Sequence, residues 1–242
     1  MLLAIDAGNS NIKLALFDGD ELRAQWRFTS SELVQLARID SQNLEAIVIA
    51  SVVPVLNSTL TRLSEDYFKL TPVFVDHATP TGLKILYDSP AELGADRIVD
   101  AVAAIAKYGT PCIVVDFGTA TTFNAINAAG EFLGGAISPG LMTCSEALFT
   151  RAAKLPRVKF ERPERVIGSS TVAAIQSGLY HGYTGLVDGV LERMIAEMGG
   201  TSRVIATGGL AHAIAPASRY IELTDDTLTL EGLRLVYERI TA

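Results

Sequence analysis

Asp6 and Lys13 bracket the first dense run of chemistry-bearing residues, IDAGNSNIKLALFDGDEL over residues 5–22. The apolar start from Met1 to Ile5 reads as a buried strand, and Asp6 puts a carboxylate at its tip. Gly8 removes a side chain where a ligand can approach the backbone. Asn9 and Ser10 offer short hydrogen-bonding groups, and Lys13 returns a positive charge. Such a set suits a phosphate bound beside a metal ion. It equally suits an ordinary hairpin, because tight turns use Asp, Gly, Asn and Ser.

The pattern returns 110 residues further on, in VDFGTATTFNAINAAGEF over residues 115–132. Asp6 falls on Asp116, Gly8 on Gly118, Ala15 on Ala125 and Glu21 on Glu131. The apolar positions also match, Ile5 with Val115, Leu16 with Ile126 and Leu22 with Phe132. Each copy reads as strand, acidic turn, strand, glycine turn, strand, which implies two similar domains. A third glycine-bearing strand end, VIATGGLA, occupies residues 204–211. Neither GxxxxGK[ST] nor GxGxxG after the first strand is present, so a nucleotide would need a cradle other than the P-loop or the dinucleotide fold.

The elements that must position these turns follow from periodicity. LEAIVIASVVP and TPVFVD predict strands, and residues 54–69 carry helical spacing between them. Residues 78–92 read as a loop into a helix, ADRIVDAVAAIAKYG, closed by Gly109 and Pro111. Residues 140–153 and 168–198 predict helices, RVIATGG a strand, and TLEGLRLVYERI a closing helix. The domains are expected over 1–110 and 111–242.

Composition bounds the function. The 242 residues are 49% hydrophobic and 19% charged, enough for a substantial core. A net charge of −7 gives no basic footprint for nucleic acid or an anionic membrane surface, so neither partner is expected. Cys112 and Cys144 show no zinc or disulfide spacing, and the start of the chain lacks a signal-peptide pattern. A soluble, cytoplasmic protein is expected. The histidines, His77, His181 and His212, share no ligand spacing.

DAGNSNIK and DFGTATTF look like the two phosphate turns of the actin-like ATPase superfamily, which includes acetate and sugar kinases, and VIATGGLA resembles its adenosine turn. The resemblance implies an α/β fold of two duplicated ribonuclease H-like (actin-like ATPase) domains with a nucleotide cleft between them. ELGADR (residues 92–97), GGAISPGL (134–141) and IGSSTVAAIQSG (167–178) narrow it further. With the turns, they resemble the type III pantothenate kinases, which phosphorylate pantothenate from ATP in the first step of coenzyme A synthesis. Ser10 stands where that family commonly has Thr, and it keeps the hydroxyl.

The resemblance implies ATP contacts along Asp6, Ala7, Gly8, Asn9, Ser10, Asn11, Ile12 and Lys13, and at Thr119. Asp6 would hold hydrated Mg²⁺, and Lys13 would neutralise the transferred phosphoryl oxygens. Asp116 matches the ligand of a monovalent cation, K⁺ or NH₄⁺. Asp96 is the expected proton acceptor. Tyr87, Gly94, Ala95, Asp96, Arg97 and Thr171 match the pantothenate contacts, with Arg97 forking onto the carboxylate. A homodimer is implied as well. Each residue also has a plainer reading: Lys13 as a solvated strand residue, Asp116 bonding its own turn, Asp96 capping a helix, Arg97 paired with Asp100, Tyr87 merely packing. Two other functions stay open, namely a kinase of the same superfamily acting on another small molecule, and a non-catalytic ATP-dependent accessory regulator.

Overall fold

The computed structural model describes residues 1–29, 32, 43–152 and 154–242. They form two compact units, Met1–Lys107 with Thr227–Ala242, and Tyr108–Asp226.

In the first unit, β1 (Leu2–Ala7), β2 (Ile12–Asp18) and β3 (Glu21–Phe28) form an antiparallel meander. β4 (Ala46–Ser51) pairs parallel to β1, and β5 (Val73–Val75) pairs parallel to β4, so the order is β3-β2-β1-β4-β5. β1 is central, and Leu3, Ala4 and Ile5 are all buried, as expected of a strand covered on both faces. Helix α1 (Pro54–Leu63) connects β4 to β5 and runs on into a π-helical turn, Ser64–Phe68, that ends the expected helix at 69. Beyond β6 (Lys84–Ile85) comes α2 (Ala95–Tyr108), which carries the ADR sequence in its first turn.

The second unit repeats the topology. β7 (Cys112–Phe117), β8 (Ala120–Ile126) and β9 (Glu131–Pro139) make the meander. β10 (Arg203–Thr207) lies parallel to β7, and β11 (Leu223–Thr224) lies parallel to β10. Helices α3 (Leu141–Arg151) and α4 (Thr171–Glu197) lie between β9 and β10 in the chain. The expected end of α3 at residue 153 lies outside the described residues. Ile175, Leu179, Tyr183, Val187 and Leu191 of α4 recur every four residues and enter the same core as Ile113, Val115 and Phe117. Short α5 (Ala211–Ile214) follows the third glycine turn.

The closing helix α6 (Leu228–Thr241) was expected in the second domain, whose range ran to residue 242. It instead packs on β1, β2 and β4 of the first unit. The reason is its apolar face: Leu228, Leu230, Leu233 and Val236 are buried and need a sheet to cover them. Lys107 and Glu231 form an ion pair of 2.7 Å between α2 and α6.

Candidate active site

The antiparallel register of β1 and β2 sets Asp6 directly opposite Lys13, and their charged ends lie 3.7 Å apart. The turn between them closes with the Gly8 amide donating to the Asn11 carbonyl at 3.0 Å. Asn9 and Ser10 are exposed at its tip. Ala7 and Ile12 are fully buried, and the Ala7 carbonyl accepts from the Val52 amide at 3.1 Å, so these two shape the turn and present no side chain to a ligand.

Helix α2 begins beside this pair. The Arg97 amide donates to Asp96 Oδ1 at 2.8 Å, a bond from the adjacent residue and not from the amide two or three residues on that a helix-capping acid accepts. Asp96 is half-buried. Burial pushes its carboxyl above the ordinary aspartate value; the Arg97 amide and then the Arg97 and Lys13 charges oppose that shift. The structure therefore brings Lys13 and Asp96 into one electrostatic neighbourhood. A side chain on Gly94 would meet Asp96 Oδ1 at 2.5 Å, so the glycine leaves that carboxylate its room. Arg97 is 6% exposed, and its guanidinium carbon lies 5.7 Å from the centre of the Tyr87 ring, a cation–π contact. The sequence reading did not foresee this pairing of Tyr87 with Arg97.

In the second unit, Asp116 and Thr207 are register partners on β7 and β10, which joins the second and third glycine-bearing strand ends. Gly208 has φ +91, and a side chain there would come within 2.3 Å of Asp116 Oδ1. Thr119 is exposed at the tip of the second turn. Its carbonyl accepts from the Gly140 amide at 3.0 Å and from Thr143 Oγ1 at 2.8 Å. Thr171 opens α4 after Ser170, whose side chain accepts from the Ala173 amide.

The sequence reading missed Gly140 and Thr143 as supports of Thr119. GGAISPGL was quoted only as part of a family string, although its Gly140 would have been the signal. The echo also shifts by one residue at the turn. Asp6 faces Lys13 but Asp116 faces Thr122, so the second turn is one residue shorter and carries no lysine opposite its acid. The Cys112 thiol is pushed up to about 12 by burial, which leaves it inert. His77, His181 and His212 are exposed, and His212 meets Asp226 at 2.8 Å on the surface.

The donor set bears on metal ions. Among the described residues no group of three or more His, Cys, Asp or Glu gathers to hold a metal. Asp6, a single carboxylate, fits an ion that keeps most of its waters and takes its other ligands from phosphates.

A family model described as type III pantothenate kinase matches residues 2–193. A type III pantothenate kinase from Anaeromyxobacter sp. is 50% identical over 252 residues, covering 99% of each chain. Among solved structures, a Baf family transcriptional activator from Campylobacter jejuni matches with a TM-score of 0.63 at 20% identity, over 99% of this chain and 100% of its own. The activator of 2-hydroxyisocaproyl-CoA dehydratase from Clostridium difficile, with bound ADPNP, matches with 0.56 at 11%, over 99% and 95%. The last two speak for the actin-like fold alone.

The raised Asp96 value has a consequence for stability. The folded chain holds this proton more tightly than the unfolded chain, so the ionised carboxylate subtracts stability above its folded value. That cost fades as pH falls toward 3.8. Asp96→Asn removes the charge and can keep the bond to the Arg97 amide. Thermal unfolding at pH 7 is expected at a higher temperature for the variant, with the gap closing in acid; an unchanged or lower midpoint at pH 7 contradicts the burial cost.

Proposed function

The chain belongs to the type III pantothenate kinase family, and on that premise we propose that Asp96 is the proton acceptor of its reaction. The protein is an ATP-dependent kinase of pantothenate, acting in coenzyme A biosynthesis. The observation that carries the proposal is the half-buried Asp96 carboxylate, raised above its ordinary value, within the influence of Arg97 and Lys13.

Asp96 holds the pantothenate hydroxyl in line with the γ-phosphate. As the new oxygen–phosphorus bond forms and the bond to ADP breaks, the hydroxyl proton passes to the Asp96 carboxylate. Lys13 neutralises the transferred phosphoryl oxygens, and the backbone from Asp6 to Ile12 lies along the phosphates with Asn9 and Ser10 donating. Arg97 forks onto the pantothenate carboxylate, with Tyr87 beneath the guanidinium and Thr171 offering a hydroxyl. Gly94 and Ala95 complete the substrate contact. Thr119 contacts ATP from the second turn. Mg²⁺, when bound with ATP, offsets phosphate charge, and Asp6 would hold it through water.

Asp116 is read as the ligand of a monovalent cation, K⁺ or NH₄⁺, a reading supported by Gly208, whose missing side chain leaves room beside the Asp116 carboxylate. Equal activity in K⁺ and Na⁺ buffers contradicts that role. A homodimer is the expected assembly, supported by the exposed apolar Val166, Ile167 and Val172 before and at the start of α4. Light scattering that returns the 25.8 kDa chain mass overturns it. The cytoplasm is the inferred compartment, where the free thiols of Cys112 and Cys144 stay reduced.

Coupled ADP release tests the central assignment. Release is expected only with pantothenate present, and Asp96→Asn is expected to lower kcat by about 10² to 10⁴ with pantothenate KM within several-fold. Arg97→Ala does the opposite, raising pantothenate KM by about ten- to a hundred-fold. An Asp96→Asn enzyme near the unmodified rate removes Asp96 as acceptor, and ADP release without pantothenate favours the ATP-dependent regulator.

A further inference from the structure

The second phosphate turn is held at two levels. At the first level, the start of α3 grips Thr119 directly, through the Gly140 amide and the Thr143 hydroxyl on its carbonyl. A side chain on Gly140 would lie 2.4 Å from the carbonyl oxygens of both Gly118 and Thr119, so this contact is backbone on backbone. At the second level stands Tyr183, from the middle of α4 and 5% exposed. Its hydroxyl lies 2.5 Å from Thr121 Oγ1 and donates to the Pro139 carbonyl at 3.2 Å. Thr121 follows Thr119 by two residues on β8. Pro139 precedes Gly140 at the end of β9, and Ala120 and Pro139 are register partners.

One phenol thus ties together the two strand ends between which the Thr119 turn and its α3 grip are hung. Thr121 is 1% exposed and Tyr183 5%, so each hydroxyl depends on partners within the protein. Burial also pushes the Tyr183 phenol up, which keeps it protonated and donating. The ring alone would satisfy the apolar stripe of α4, since Phe fits the same core. The hydroxyl is what the stripe does not need.

We infer that Tyr183 is a positioning residue for nucleotide binding: its hydroxyl fixes the β8 and β9 ends so that Thr119 meets ATP in one geometry. The inference rests on the reading of Thr119 as an ATP contact. It adds a residue 64 positions along the chain, on a different helix, to the machinery of that turn.

Steady-state kinetics of Tyr183→Phe, Thr121→Val, Thr119→Ala and the Tyr183→Phe/Thr119→Ala double variant provide the test, with circular dichroism to show that each is folded. Tyr183→Phe is expected to raise ATP KM by about ten-fold while pantothenate KM stays within two-fold. Thr121→Val removes the same hydrogen bond from its other end and is expected to give the same split, so the test survives if one variant fails to fold. The double variant should be no worse for ATP than Thr119→Ala alone, because the tyrosine acts through that turn. A lowered unfolding temperature with unchanged ATP KM in the folded variants makes Tyr183 merely structural and overturns the inference. If Thr119→Ala raises ATP KM and Tyr183→Phe does not, the inference falls while the Thr119 reading stands. If Thr119→Ala leaves ATP KM unchanged, both fall.

Discussion

A carboxylate held out of water at the first turn of a helix is the constraint on which the first unit is built. Burial disfavours the ionised form of Asp96, and the features that oppose it include the Arg97 amide, the Arg97 guanidinium and the Lys13 ammonium. Each is placed by a different piece of architecture. The amide comes from the start of α2, the guanidinium from the next residue seated against Tyr87, and the ammonium from the register of β2 on β1. A partial compensation suits a proton acceptor. A fully paired aspartate would hold its negative charge too well to take a proton, and an uncompensated one would stay protonated.

The two units share strand order but treat their turns differently. In the first, charge does the holding, with Asp6 and Lys13 3.7 Å apart across the ladder. In the second, Thr122 stands opposite Asp116, and the turn is shaped by close backbone approach at Gly140 and Gly208. The duplicated scaffold therefore yields one turn suited to neutralising phosphate charge and one suited to gripping by geometry. The shorter second turn is the physical origin of the difference, since one residue fewer moves every position of β8 against β7.

Much of this was legible in the sequence because strand ends with Asp and Gly mark turns whatever their function. The strands, the helix behind ADR and the terminal helix all appear near their expected places. The direct 110-residue offset holds as far as Gly118, falls one short along β2 and β8, and returns along β3 and β9, a one-residue difference in a turn that pairing reveals and sequence matching does not. The partner of α6 was hidden for another reason: an amphipathic helix declares that it has an apolar face, not which sheet covers it. Tyr183 was hidden most completely. It falls on the every-fourth-residue apolar stripe of α4, where an aromatic reads as core and its hydroxyl leaves no mark in the pattern. The candidate site was legible where side chains carry charge, at Asp6, Lys13, Asp96 and Arg97. It was silent at Thr143, and at Gly140 it showed a glycine without the backbone that the glycine packs against.

The most direct measurement is the titration of the Asp96 carboxyl itself in the ligand-free protein, followed by NMR of carbon-13-labelled aspartate and assigned by loss of the signal in Asp96→Asn. Burial outweighing its compensation places the midpoint above 3.8, the ordinary aspartate value. A midpoint at or below that value means that the amide and the two cations overcome burial, and it contradicts the assignment of Asp96 as a carboxylate poised to take the substrate's proton.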